Sequence, residues 1–414
     1  SSDLAHPAGA RPRMMTLTYH PSTKTWTVGG DKRVFFGSQT FPLPTQPSSS
    51  SSDTLSFSLN EKEGKLGPLV GILTGHHLKK PFSGDQTSYI AIQNELEQRG
   101  GLSFVFTPHD ISDHTIFGYT YHDNQWKTIA FPYPDIVYNR IPTKKQETAE
   151  ATTAFFKKLK QRHIPFFNPF FFDKWEMVQL LSKNDTLRPL IPETVLLTGQ
   201  QTLRHFLKKH RFLYAKPVSS STGNGIFTLT QSDEQTTTVR THSNTVPLSD
   251  EKLETFISLV LKNDERYILQ QGISLDQLEK KPYDFRILMQ KPHDEWVMTG
   301  AGIRMAPSEG ITTHVPKGGT IVAIDRITPA VHPQHFARLG KEIASTIEAA
   351  YGMVKECSID IGRDRHGNDW IFEANAKPMS FDEQEIEDRR IKNLVDTFFH
   401  ETHFSSEKKG GKAD

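Results

Sequence analysis

Cysteine is almost missing from this chain: Cys357 is the only one in 414 residues. That excludes an intramolecular disulfide framework and a multi-cysteine zinc site, and it fits a reducing compartment. Net charge is almost missing too. Lysine and arginine total 49 against 48 acids, so no overall field draws the chain to nucleic acid or an anionic membrane, and any anion site has to be local. No apolar run is long enough to span a bilayer, and no segment combines a charged start, an apolar centre and a small-residue cleavage site. The expectation is a cytoplasmic protein with neither nucleic acid nor membrane as partner. What is present is length and apolar content. Hydrophobic residues make up 36 %, enough for a sizeable core, and the length predicts two or three domains.

Residues 1 to about 14 are polar and rich in Ala, Gly and Pro and are set aside. From Thr16 to Leu59, short alternating stretches separated by Gly and Pro read as a small β module, interrupted by a polar Pro-Ser loop at 47–52. The period changes from Pro68. Leu69–Leu73 reads as a buried strand, and Tyr89, Ile92 and Leu96 give helical spacing over 85–99 before Gly100 and Gly101 stop it. Strands at 102–106 and 135–138 complete a βαβ unit with a parallel sheet. A third region begins near Asn168 with a helix at 174–183 capped by Asp173. Strands follow at 212–216, 225–230, 266–271, 283–290 and 296–304. A helix at 335–351, strands at 356–362 and 369–375, and a helix near 385–399 complete the pattern, and the tail from 405 reads as disordered.

Two segments near the C-terminus carry the sharpest chemical signal. ECSIDIG and DWIFEANAKP are joined by RDRHGN, whose His366-Gly367 centre suits a hairpin turn and places Asp360 opposite Glu373. Strand alternation puts Ser358, Asp360 and Gly362 on one face, and Ile371, Glu373 and Asn375 on one face of the partner. Opposed carboxylates repel, and a divalent cation between them removes that penalty. Oxygen donors without sulfur or histidine favour magnesium, with manganese second. An exposed hairpin of solvated acids is the plain alternative.

Upstream, FLYAKPVSSSTGNGIFTL is a strand ending in Lys216, a loop of Ser219, Ser220, Ser221, Thr222, Gly223 and Gly225, and a return strand. Such a loop either folds backbone N–H groups over phosphates while the lysine adds a point charge, or is a flexible hairpin. No GKS or GKT follows, so the Walker motif is absent. YDFRILMQ and WVMTGAGIRMA set Asp284, Arg286 and Arg304 among apolar residues. Those arginines either pair with acids or bind phosphate or carboxylate. The next segment brings His314, Lys317 and paired glycines, suited to an anion or to a plain turn. Lys174, in a first helical turn, opposes the helix dipole, which a bound anion would compensate; a surface lysine is the alternative. Asn139 and Arg140 close the third strand of the βαβ unit, and His76 and His77 the first, the end where open α/β sheets bind ligands.

Taken in order, DKWEM, YAKPVSSSTGNG, ILQQGI, DFRIL, GAGIRMA, PKGG, SIDIG and FEANAKP resemble an ATP-grasp enzyme. More narrowly, the chain is similar over about Pro68 to Phe399 to the YheC/YheD family of endospore coat-associated ATP-grasp proteins. The resemblance implies an α/β and α+β architecture: an ATP-grasp fold preceded by a βαβ pre-ATP-grasp domain and a small N-terminal β module. The expected divisions are 1–66, 67–167, 168–404 and a tail at 405–414, with the third split after 272 into a nucleotide lid and hinge and a metal and substrate part.

The resemblance implies ATP and magnesium as cofactors. Lys174 and Lys216 would hold phosphates beneath the Ser219–Gly225 loop, and Gln270, Gln271, Gly272 and Ile273 would line the adenine by backbone contacts. Asp360, Glu373 and Asn375 would ligate the metal, with Arg286 and Arg304 at the γ-phosphate or acyl-phosphate. Asn139, Arg140, His314 and Lys317 are the substrate candidates. His314 and Lys317 depart from better-known ligases, which often carry an asparagine before the paired glycines. The implied reaction joins a small-molecule or peptide carboxylate to an amine through an acyl-phosphate, which needs charge neutralisation and positioning rather than a protein nucleophile. Rival readings are a small-molecule kinase and a catalytically silent structural protein of the spore coat, with spore coat components as partners and a spore-associated location.

Overall fold

The computed structural model describes residues 13–39, 41–46, 54–219, 223–233, 235–262, 265–307, 310–313, 318–322 and 332–404. The expected Pro-Ser loop at 47–52 and tail at 405–414 lie outside the described residues. Two compact units emerge. The described residues up to Phe170, together with Lys291–Glu295 and those from Asp388, form the first; Phe171–Gln290 and Trp296–Glu387 form the second.

In the first unit, β1 (Arg13–His20), β2 (Thr25–Gly29), β3 (Phe35–Phe36), β4 (Thr45–Gln46), β5 (Leu55–Lys62) and β6 (Lys65–Gly67) make one sheet, ordered β3-β6-β5-β1-β2-β4. Its alternation turns Met15, Leu17 and Tyr19 inward. The second sheet contains β7 (Leu69–Leu73), β8 (Leu102–Phe106), β9 (Ile116–His122), β10 (Gln125–Phe131), β11 (Ile136–Asn139) and β12 (Phe166–Phe167), ordered β10-β9-β8-β7-β11-β12. Around it run α1 (Gln86–Gln98), α2 (Lys144–Glu147) and α3 (Glu150–Gln161). β7 pairs in parallel with both β8 and β11, as expected of a βαβ unit, and the β9–β10 hairpin adds an antiparallel extension. Asp85 caps α1 by accepting the Ser88 N–H. The N-terminal strands share one core with this second sheet. Trp26 packs on Phe131 and donates its indole N–H to the Ala130 carbonyl at 2.7 Å.

The second unit opens with α4 (Lys174–Leu181), whose cap Asp173 accepts the N–H groups of Trp175 and Glu176. Then come β13 (Thr194–Leu196), α5 (Gln200–His210), β14 (Phe212–Pro217), β15 (Phe227–Gln231), β16 (Thr236–Arg240), β17 (Thr245–Ser249), α6 (Asp250–Leu261) and β18 (Tyr267–Gln271). Their sheet runs β13-β18-β14-β15-β16-β17 and buries Leu213, Ala215, Leu229 and Leu269 against Leu203, Phe206 and Leu207 of α5 and Leu253 and Ile257 of α6.

The rest of the unit comprises β19 (Gln277–Leu278), β20 (Lys281–Gln290), β21 (Val297–Met305), β22 (Thr320–Val322), α7 (Pro333–Tyr351), β23 (Glu356–Arg363), β24 (Asp369–Asn375) and the start of α8 (Gln384–Glu401). The sheet order is β22-β21-β20-β23-β24. Alternation along β20 turns Tyr283, Phe285, Ile287 and Met289 into a core with Phe336, Ile343, Ala344 and Ile347 of α7. Each fully buried side chain of this size contributes about 1.5–3 kcal/mol, so the apolar face holds the sheet to its helix. The remainder of α8 belongs to the first unit, where buried Arg390 donates to the Ser88 hydroxyl and Phe398 packs on Tyr138. Among the described residues no helix is long and apolar enough to cross a membrane.

One expectation is corrected here. Ile371 does not share a face with Glu373 and Asn375. The register shifts between Asp360 and Ile361, so that Asp360 pairs with Glu373 but Ile361 pairs with Ile371, leaving Phe372 as the extra residue of a β-bulge. Ile371 thereby joins the core.

Candidate nucleotide and metal site

The bulge and the alternation together load one face of the β20–β24 sheet with charge. Asp284 lies opposite Arg304, Arg286 opposite Asp360, Asp360 opposite Glu373, and Ser358 opposite Asn375. Arg304 is almost fully buried. It donates from Nε and Nη2 to the two Asp284 oxygens at 2.9 Å each, and its Nη2 also lies 3.0 Å from Asp360 Oδ2. The Thr313 hydroxyl donates to Asp284 as well. Burial works against the Arg304 charge, but the two aspartates more than offset it and raise the guanidinium above its ordinary value. Its remaining nitrogen, Nη1, is buried with no hydrogen-bond partner among the described residues. Burial likewise lowers Arg286, which donates to Ser358 Oγ at 3.4 Å and sits 5.5 Å from the centre of the Phe381 ring.

Lys174 is no surface lysine: its Nζ lies 2.6 Å from Glu373 Oε1, both side chains being largely enclosed. Lys216 donates to Gln270 Oε1 at 2.6 Å, and Gln270 Nε2 donates in turn to Thr194 Oγ1 at 3.2 Å. Burial, helped by the positive charge of Lys174 and opposed by Glu373, pushes Lys216 down to about 8. A cavity of about 290 Å³ is lined by Gln271, Ile273, Tyr214, Lys216, Phe372, Arg304, Asp360 and Glu373. Thr312 lines it too, with a buried hydroxyl that has no partner among the described residues.

The structure thus brings together Lys174, Lys216, Gln270, Arg286, Arg304, Asp360 and Glu373, with Asn375 one pair further along. Of the residues expected at the adenine, Gln270, Gln271 and Ile273 line the cavity. Gln270 is held within the sheet between β13 and β14 and reaches the cavity by its side chain. The Gln271 and Gly272 N–H groups already donate to the carbonyls of Glu193 and Phe212. Only glycine fits at 272, where a Cβ would lie 2.1 Å from the Phe212 ring. Ser219 is exposed at the end of β14 and Gly223 and Gly225 have positive φ, whereas Ser220, Ser221 and Thr222 lie outside the described residues. So do His314 and Lys317.

Asn139 and Arg140 belong to the first unit. Asn139 is fully buried and donates to Glu147 Oε1 and the Asn168 carbonyl while accepting the Ile141 N–H, so its amide is tied into the fold instead of presented to a substrate. The Arg140 guanidinium stands 5.5 Å from the Tyr138 ring. His77 Nδ1 accepts two N–H groups in its own turn, and His76 lies against His109. Sequence reasoning missed Phe372, Arg365 and Thr313, all cavity-lining.

Asp360, Glu373 and Asn375 set two carboxylates and one amide on a shared face, donors that could hold a cation. Among the described residues no cluster of three or more His, Cys, Asp or Glu could hold a metal. Two carboxylates that meet across a strand pair beside two lysines are suited to magnesium that completes its shell with phosphate oxygens and water.

Residues 163–402 match the family model described as YheC/D-like ATP-grasp. The chain belongs to this family. It is 30 % identical over 332 residues to the endospore coat-associated protein YheD of Bacillus subtilis, covering 76 % of this chain and 73 % of that one. YheC of the same organism is 25 % identical over 305 residues, covering 69 % and 84 %. The fold is shared with D-alanyl-alanine synthetase A from Vibrio cholerae (TM-score 0.50, 12 % identity, 81 % of this chain and 99 % of that one). It is shared equally with the VanG D-Ala:D-Ser ligase from Enterococcus faecalis (TM-score 0.50, 13 % identity, 82 % and 99 %). The architecture of this YheC/D-like chain is therefore the mixed α/β ATP-grasp fold.

Proposed function

We propose that this YheC/D-like protein is an ATP-dependent ligase that activates a carboxylate as an acyl-phosphate and passes it to an amine. The observation that carries the reading is Arg304: a buried guanidinium that lines the cavity, clamped by Asp284 and Asp360, with one nitrogen left for an anionic oxygen. A transferring phosphoryl group is an anion that such a preorganised donor stabilises, because it pays no reorganisation when charge develops. In this reading Lys174 and Lys216 hold phosphates, the 219–225 loop covers them, and Phe372 and Tyr214 wall the base. Asp360, Glu373 and Asn375 hold magnesium, which when bound neutralises phosphate charge. Arg286 and Arg304 orient the transferred group. The ligase names of the two solved structures support the reading. The names of YheD and YheC support a spore-associated setting with coat components as partners.

The test is a screen of amino acids, small carboxylates and short peptides with magnesium and ATP, with hydroxylamine as trap. The expected result is ADP release that depends on one acid, together with its hydroxamate. A phosphorylated product stable to hydroxylamine would make the protein a kinase. Failure to bind magnesium nucleotide by calorimetry would make it a silent member of the fold.

A further inference from the structure

A second cavity of about 140 Å³ adjoins the first on the charged face, and Arg304 lines both. Its walls include Arg286 and Gly302, which face each other across β20 and β21, and Phe381, Asp382 and Glu383 ahead of α8. It has half the volume of the nucleotide cavity, so it suits the smaller reactant. Gly302 is informative because a Cβ there would stand 2.5 Å from Glu383 Oε1. The bare backbone of β21 thus lets this carboxylate lie against the strand, directly across from Arg286. Asp284 and Asp360 each pair with Arg304. Among the described residues no hydrogen bond or ion pair engages the Glu383 carboxylate. Of the chamber's two acids Asp382 is exposed, so Glu383 is the half-buried carboxylate that it offers an incoming molecule, within walls that also include Arg304.

We propose that this chamber is the acceptor subsite, and that Glu383 orients the acceptor amine and takes its proton. The ligand class is a small primary amine of amino-acid size that arrives as an ammonium ion. The proposal rests on the ligase reading above. In the step, the ammonium gives one proton to Glu383, and the freed lone pair forms the C–N bond at the acyl-phosphate carbon. The bond between that carbon and the bridging oxygen of the phosphate breaks, and phosphate leaves with that electron pair and with the second nitrogen-bound proton. The plain alternative for Glu383 is an acid that only complements the N-terminal end of the α8 dipole. That role would not make the chamber prefer a charged amine.

The test uses the full chain saturated with magnesium and a non-hydrolysable ATP analogue. It is titrated with a panel of L-amino-acid amides, each against the matching hydroxy-acid amide, which has a hydroxyl in place of the ammonium. The expected result is at least one amide that binds about ten-fold or more tightly than its hydroxy partner, the size of one charge-assisted hydrogen bond. Glu383→Gln should erase that preference. Gly302→Ala should reduce it, because the flexible end of Glu383 gives way before the strand does, with the melting temperature and nucleotide affinity as controls on folding. Equal binding of the two partners, a preference that survives Glu383→Gln, or no binding by any amide while nucleotide still binds would each overturn the proposal. Failure of the nucleotide analogue itself to bind would instead bring down the ligase reading, and this one with it.

Discussion

On one face of the β20–β24 sheet, Phe285, Ile287, Ile359 and Ile361 pack under α7 without a charge among them. On the other face, reached by moving one residue along the same strands, Asp284, Arg286, Asp360 and Glu373 stand side by side with Arg304. The first face stabilises the fold by removing hydrocarbon from water. The second costs desolvation, and replacing a buried ion network by hydrocarbon is often neutral or stabilising. A sheet that keeps five charges beside a cavity is poorly explained by stability alone. The same alternation that makes a core on one side makes an electrostatic site on the other.

The contrast can be broken in measurable ways. The largest effect is expected on turnover: Glu373→Gln or Asp360→Asn should cut ATP turnover by about a thousand-fold, as loss of a preorganised electrostatic contact does, with an unchanged circular dichroism spectrum. Undiminished ADP release in either variant sinks the metal assignment. Next, Arg304→Met should destabilise the protein by about 3–5 kcal/mol in urea unfolding, since it strands Asp284 and Asp360. Pairing it with Asp284→Leu should restore part of the loss, and additive losses would show that the clamp is not a unit.

On the apolar face, Ile287→Ala should cost about 2–5 kcal/mol by leaving a cavity, while nucleotide affinity stays put; an equal loss of affinity would mean that the two faces are not separable. The smallest effect is a pH dependence. Burial pushes Lys216 down to about 8 from its ordinary 10.5, so between those values the unfolded state holds more protons and stability rises with pH. A bound phosphate reverses this by favouring the charged lysine. Nucleotide binding near pH 8.5 should therefore take up a proton, visible in calorimetry as a dependence on buffer ionisation enthalpy. Lys216→Gln should abolish that uptake.

Much of the site was legible because hairpins have short memory. Turn chemistry around His366 and Gly367 sets the register, and the register sets Asp360 against Glu373. The bulge at Phe372 was illegible, since one extra residue in a strand leaves no mark that alternation can read, and it moved Ile371 from the charged face to the core. Lys174 illustrates a different limit. Its place in a first helical turn showed only that it lacked a local reason; its partner Glu373 stands 199 residues away. Asn139 shows the converse, a strand-end polar residue that looked presented to a ligand and is in fact consumed by Glu147 and Asn168.

The sequence by itself determined the elements, the cap of α4, the apolar and polar alternation of β20 and the family, because each follows from contacts within a few residues or from ordered motifs. Tertiary structure alone decided that Arg304 is clamped by two aspartates with one nitrogen to spare. It alone decided that Glu383 lies against Gly302, and that the last turns of α8 pack with the first unit. Those facts depend on distances between residues far apart in the chain, where electrostatic pairing and close packing act through space and leave no local pattern.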